Sequence, residues 1–89
     1  MTTFTLDTGT SESDVFTHKG GVLQIQASGV FGGATLKFIV MNGTEEIEVS
    51  DFNMIAPDVL STPFLNAGSL YKLKADSATG TTVINLTLF

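Results

Sequence analysis

The residues that could do chemistry in this chain are few and scattered. His18 is the single histidine and sits beside Lys19 and Gly20. A catalytic imidazole needs a nucleophile within reach and a third group to orient it. The chain has no cysteine and no nucleophile elbow, so His18 reads as a solvated loop residue. Glu45, Glu46 and Glu48 form the densest acidic cluster. Glu46 and Glu48 fall on one strand face, which makes a shallow cation site conceivable. A calcium loop, however, gathers several oxygens at close loop spacing around a glycine turn, and that pattern is missing. The cluster reads instead as a solvated outer face paired with Lys37. Glycoside hydrolysis needs two carboxylates across a cleft, and nothing in so short a chain suggests one. Gly29, Gly32 and Gly33 lack the following helix and lysine of a nucleotide loop. Asn42-Gly43-Thr44 and Asn85-Leu86-Thr87 match the glycosylation tripeptide in form only, one as a turn and one in mid-strand. Tyr71 has the spacing of a core strand residue. The expectation is no enzyme, no cofactor and no metal.

What carries these residues is a set of short strands, organised around residues 28–49. Gly32-Gly33 lets the backbone bend where a Cβ would clash, so that Phe31 and the face of Leu36, Phe38 and Val40 enter the core together. Thr35, Lys37 and Ile39 take the other face. Asn42-Gly43 is the signature of a type I′ hairpin turn. That turn sets Met41 opposite Thr44, Phe38 opposite Ile47, Leu36 opposite Val49, Lys37 opposite Glu48 and Ile39 opposite Glu46. After Val49 the alternation breaks at Asp51-Phe52-Asn53, which implies a bulge or corner.

Outside this stretch, residues 2–6 alternate as a first strand and 7–14 form a polar loop. Residues 15–17 form a short strand. Residues 22–27 are a strand with Leu23, Ile25 and Ala27 inward and Gln24 and Gln26 outward, broken at Ser28-Gly29. Pro57 and Pro63 confine residues 54–66 to an edge strand with an irregular crossover, since proline lacks the donor of a central strand. Residues 70–75 put Tyr71, Leu73 and Ala75 on one face, opposite Lys72 and Lys74. Residues 82–89 close the chain with Ile84, Leu86 and Leu88 inward and Val83, Asn85, Thr87 and Phe89 outward.

At 89 residues the chain is one domain with a thin stability margin. Short strands, frequent turn signals and no amphipathic helix give an all-β fold, a small antiparallel β-sandwich or jelly roll. Residues 1–19 hold few apolar side chains and read either as an N-terminal arm that is mobile or ordered by a partner, or as a simple edge strand. No basic-then-apolar leader opens the sequence. The longest apolar run, residues 38–41, is far short of the ~20 that span a bilayer. No membrane role is expected.

Nine acids face four lysines, with no arginine and a net charge of −5. Nucleic-acid binding needs cations along a face, and Lys19, Lys37, Lys72 and Lys74 are too scattered to supply them. Only 15% of residues are charged while 43% are hydrophobic. A small domain has much surface to cover, so this balance fits either a Thr-rich, extracellular-type β surface or one that partners partly cover. The expected partners are copies of the same chain, in a symmetric homo-oligomer such as a trimer, or a larger lattice.

The run Ser28-Gly29-Val30-Phe31-Gly32-Gly33-Ala34-Thr35-Leu36, then Asn42-Gly43, Ala67-Gly68-Ser69-Leu70-Tyr71 and Gly80-Thr81-Thr82, resembles a group of short virion proteins of tailed bacteriophages. The resemblance covers about two thirds of the chain, from Gly20 onward. Two departures stand out: no Trp follows the turn, and Lys72 stands where an Arg often follows the Tyr. The resemblance implies a capsid decoration (cement) protein, made in the host cytoplasm and located on the virion head. Its partner would be the major capsid protein. The alternative is a tail, head-fibre or baseplate module that binds a host glycan or protein. Phe31, Phe52, Phe64 and Phe89 are the expected interface anchors.

Overall fold

The computed structural model describes residues 2–18, 20–65 and 68–89, and the side chains within them other than those of Asp51 and of residues 63–65. Eight strands follow one another as β1 (Thr2–Asp7), β2 (Phe16–Thr17), β3 (Gly21–Val30), β4 (Thr35–Asn42), β5 (Glu45–Met54), β6 (Asp58–Leu65), β7 (Leu70–Asp76) and β8 (Val83–Leu88). They form two four-stranded sheets, ordered β1-β8-β3-β6 and β2-β7-β4-β5.

The pairing follows one rule. β1 pairs with β8, β2 with β7, β3 with β6 and β4 with β5, all antiparallel. The chain is thus one long hairpin with its tip between β4 and β5. Pairing of β3 with β8 and of β4 with β7 rolls that hairpin into two sheets. Every connection except the β4–β5 tip crosses from one sheet to the other. This is the jelly-roll arrangement, and the expectation of a small antiparallel β-sandwich or jelly roll holds.

Alternation along each strand fills the space between the sheets. Leu6, Leu23, Ile25, Ile84, Leu86 and Leu88 come from the first sheet, and Leu36, Phe38, Tyr71 and Leu73 from the second. A chain of five rings runs through this layer, from Phe4 to Phe16, Tyr71, Phe38 and Phe52, with centroids 5.5–6.2 Å apart at each step. Offset and tilted rings at such separations add to the stabilisation from burial alone.

Three local expectations are corrected. First, β3 does not end at Ser28-Gly29 but continues to Val30. At Gly29 a Cβ would lie 2.2 Å from the Val83 carbonyl oxygen, so the missing side chain lets β8 approach rather than breaking the strand. Second, the β4–β5 register is shifted by two residues, with Asn42 opposite Glu45, Val40 opposite Ile47 and Ile39 opposite Glu48. The turn centres on Gly43-Thr44, and φ is positive at Gly43 (66°) but not at Asn42 or Thr44. Glycine at the first central position is the type II′ pattern. A shift of two preserves which face each residue occupies, so the inward set survives the correction. The type I′ pattern appears elsewhere: Gly32 (φ 59°) and Gly33 (φ 88°) are the central residues of a turn closed by Ala34 N donating to Phe31 O at 2.9 Å. Third, Lys37 meets Asn53 Oδ1 and not Glu48, because the pairing jumps beyond it. Lys37 stands opposite Asn53 and Ile39 opposite Glu48, so Phe38 alone faces four residues of β5. The three extra residues are the expected bulge, and their odd number turns Phe52 and Met54 inward.

The segment 1–19, read as an arm, lies along both sheets over its described residues. β1 pairs with β8 along its whole length. Ser13 N donates to Leu73 O at 2.8 Å and Ala75 N to Ser11 O at 2.7 Å, continuing β2 along the edge of β7. No helix among the described residues is long and apolar enough to cross a membrane.

Candidate docking surface

The outer faces of the two sheets differ sharply in charge. On the second sheet, the register places Lys72, Ile39 and Glu48 in one row across β7, β4 and β5, with Leu70, Met41 and Glu46 in the next. Lys72 Nζ is 2.5 Å from Glu12 Oε1 in the β1–β2 loop and also pairs with Glu46 of β5. This bridge spans β4 above Ile39. Ile39, expected on an open outer face, is in fact 1% exposed. The lysine stem and its two carboxylates roof a position that alternation alone would leave in water. The hydrogen bond from Lys72 is the main cause that holds the Glu12 carboxyl below its ordinary value. The same bond, with a second to Glu46, raises Lys72 above its own.

The outer face of the first sheet is built differently. Across β1, β8, β3 and β6 the register gives the rows Thr3–Thr87–Gln26–Val59, Thr5–Asn85–Ser28 and Asp7–Val83–Val30. A further row is closed by mutual backbone bonds between Phe89 and Gln24, with Ser61 opposite Gln24. Side-chain amides and hydroxyls link within it: Gln26 Nε2 donates to Gln24 Oε1 at 2.9 Å and Thr5 Oγ1 to Asn85 Oδ1 at 3.3 Å. Of the charged side chains described, only Asp7 stands on this face. It occupies a corner, where its Oδ1 accepts a hydrogen bond from Thr10 N at 2.8 Å. Nine large apolar side chains are exposed among the described residues, and five of them, Val22, Val30, Val59, Val83 and Phe89, belong to this one face. Charge depletion with clustered apolar residues is the compositional mark of an interface.

The expected anchors divide. Phe31 and Phe52 are 5% and 6% exposed and belong to the core, so neither can anchor a partner. Phe31 is drawn in by the Gly32-Gly33 turn and Phe52 by the bulge in β5. Phe64 lies in β6, and its side chain falls outside the described residues. Phe89 is 51% exposed and stands at one end of the uncharged face. Sequence reasoning missed the valines, although their outward parity was visible. What it lacked was the knowledge that β3, β6 and β8 are neighbours.

The candidate chemical groups are not drawn together. His18 Nε2 donates to the Val22 carbonyl at 3.2 Å. The ring lines an open hollow of about 330 Å³ with Phe16, Thr17, Leu23, Leu88 and Phe89, and no Asp or Glu side chain lines it among the described residues. No group of three or more potential ligands among the described residues could hold a metal ion. Glu46 is occupied by Lys72. No protein-family model matches the chain, and neither curated proteins nor solved structures gave a match.

Proposed function

We propose that this chain is a structural docking module, a capsid decoration protein that lies on the head shell of a tailed bacteriophage and reinforces joints between coat subunits. The observation that carries this reading is the segregation of charge. The described lysines stand on the second sheet, and the first sheet offers a flat face of amides, hydroxyls and five exposed apolar side chains. Jelly rolls occur in capsid and lectin domains, which is an analogy of fold and not of site.

The size of the face supports attachment in many copies. Four strands about 4.8 Å apart and four rows about 6.8 Å apart make a patch of roughly 400 Å² in plan. A standard stable interface needs about 800 Å² per partner. One such contact is weak, and many on one shell add through effective concentration. Quantitative mass spectrometry of purified particles tests the reading. Copy number on the order of hundreds per particle is the expected result. About a dozen would favour a tail, head-fibre or baseplate module. Absence from particles would overturn both.

A further inference from the structure

We propose that the free edge of β1 takes up an extended segment of another polypeptide, which adds a fifth strand to the first sheet. The site is the edge of that sheet and not its outer face, so it is independent of what the outer face meets.

Parity fixes what the edge offers. Phe89 and Gln24 exchange backbone bonds, so Thr87, Asn85 and Val83 turn their backbone groups to β3 while Leu88, Leu86 and Ile84 turn theirs to Thr2, Phe4 and Leu6. Thr3, Thr5 and Asp7 therefore point their N–H and C=O groups away from the sheet. Asp7 N donates to Thr10 O at 2.9 Å. The outward backbone groups of Thr3 and Thr5 have no partner among the described residues, and both residues are exposed. Two donors and two acceptors at this spacing are matched by an extended backbone, whose own groups alternate with the same period. The other three edges are blocked in ways that prevent such pairing. β5 carries Glu45, Glu46, Glu48 and the bulge. β6 carries Pro63 and pairs with β3 across a register shift, and β2 is two residues long. β1 runs six residues in unbroken register with neither proline nor lysine, and its only charge is Asp7 at the end.

The layer behind this edge is incompletely covered. The chain of rings ends here, with Phe4 and Phe16 half-buried while Tyr71, Phe38 and Phe52 are buried. In an antiparallel strand added to β1, the residue opposite Phe4 faces inward with it, over these two rings. The residue opposite Thr2 points toward the open hollow that Thr2 lines with Phe16 and Leu88. The edge therefore selects a segment that alternates apolar and polar residues. A lysine opposite Asp7 completes the match, and the β1 strand of a second copy has none to offer.

The test titrates isotope-labelled protein with the capped peptide Lys-Val-Thr-Val-Thr-Val-Lys, up to about 5 mM because a single added strand binds weakly. In amide NMR spectra the Thr3 and Thr5 protons should move downfield and exchange more slowly, and the Phe4 and Phe16 ring signals should shift with them. The same peptide N-methylated at both threonines lacks the donors that face β1 and should bind about 10-fold more weakly or worse. Thr3→Pro removes one outward donor of the protein and leaves the pairing with β8 intact, a place where an edge strand tolerates proline. It should weaken the unmethylated peptide by a similar factor, with circular dichroism showing that the variant folds. Should it not fold, the methylated peptide decides alone. Thr3 and Thr5 amides that stay unmoved at the highest peptide concentration would overturn the proposal, as would equal binding of the methylated peptide. Shifts of the same amides that follow the protein's own concentration without peptide would also overturn it, by giving the edge to a second copy.

Discussion

Replacing Gly32 with alanine should destabilise the protein far more than the same change at Gly33, although the two are adjacent and share a turn. Both have positive φ, 59° and 88°, and an L-residue in the left-handed region costs about 1–2 kcal/mol. At Gly33 nothing lies within 4 Å of the added Cβ, so that cost is the whole effect. At Gly32 the Cβ would sit 2.6, 2.8 and 2.9 Å from the Oγ1 atoms of Thr81, Thr79 and Thr82. Thr81 is exposed and can turn away. Thr82 cannot, because it is 1% exposed, and its hydroxyl donates to Phe31 O at 2.8 Å while accepting from Thr79 N at 2.9 Å. Thr79 Oγ1 in turn donates to Gly32 O at 2.9 Å. Displacing Thr82 takes from Thr79 N its side-chain acceptor and from Phe31 O one of its two donors, the other being Ala34 N, at about 1–3 kcal/mol together. The expected total is about 2–5 kcal/mol for Gly32→Ala against about 1–2 for Gly33→Ala. A domain of this length has roughly 4–13 kcal/mol in all, so the first variant loses a large share of its stability. Urea unfolding followed by circular dichroism gives both values. Thr82→Val closes a double-mutant cycle, in which the effects of Gly32→Ala and Thr82→Val should add to less than their sum. Equal losses at the two glycines, or strict additivity, would refute the account of a threonine cluster gripping the β3–β4 crossover.

The other expectations are briefer. Phe38 is 2% exposed and lies 5.5 Å from Tyr71 and 5.8 Å from Phe52 between ring centroids. Phe38→Ala should therefore cost about 3–5 kcal/mol in urea unfolding, and a loss below about 1.5 would deny it the centre of the core. Gly43→Ala should cost about 1–3 kcal/mol because only that turn residue has positive φ, whereas Asn42→Ala should be nearly neutral. The reverse order would restore a type I′ turn at Asn42-Gly43. Glu12→Gln removes one arm of the Lys72 bridge and should cost no more than about 1 kcal/mol at neutral pH, since the pair is partly exposed. The sign with pH follows from the shifts. The Glu12 carboxyl is held below its ordinary 4.5, so its contribution is present above that value and fades as pH falls through the lower folded value. Lys72 is held above its ordinary 10.5, so its contribution is present below that value and fades as pH rises through the higher folded one. The gap between parent and Glu12→Gln should thus close at both extremes in melts across pH. A gap that persists at about pH 2 would mean the glutamate acts by something other than charge.

How much of this was legible in the sequence can be judged from particular residues. Alternation placed Leu23, Ile25, Leu36, Phe38, Tyr71, Leu73, Ile84 and Leu86 inward, and they form the core, because burial depends on parity that a strand cannot evade. Turn chemistry was legible in kind and not in place. Asn42-Gly43 carries the stronger signature, yet the hydrogen-bonded turn with two positive-φ central residues forms at Gly32-Gly33. Phe52 was misread because three extra residues in β5 reverse parity, and nothing in Asp51-Phe52-Asn53 states how many residues a bulge holds. Ile39 was misread because its cover comes from Lys72, distant in sequence and tied to Glu12 and Glu46.

The uncharged face of the first sheet was hidden for a deeper reason. Parity tells which side of its own strand a residue occupies, but not which strands stand side by side. Val30 and Val83 meet only because β3 and β8 are neighbours, a pairing that spans most of the chain. Once the hairpin rolls, strands with Gln24, Gln26, Ser28, Asn85 and Thr87 fall in one sheet and strands with Lys37, Lys72, Lys74, Glu46 and Glu48 in the other. A low proportion of charge was a property of the whole sequence. Its concentration on one sheet is a property of the topology, and it turns a general scarcity of charge into a specific surface. A sandwich exposed equally on both sides would need solvated side chains on both. Here the charged side chains gather on the second sheet, where Lys72 with Glu12 and Glu46 roofs Ile39. The first sheet presents amides, hydroxyls and valines instead, and Val30, Val59 and Val83 stay exposed there without a comparable roof.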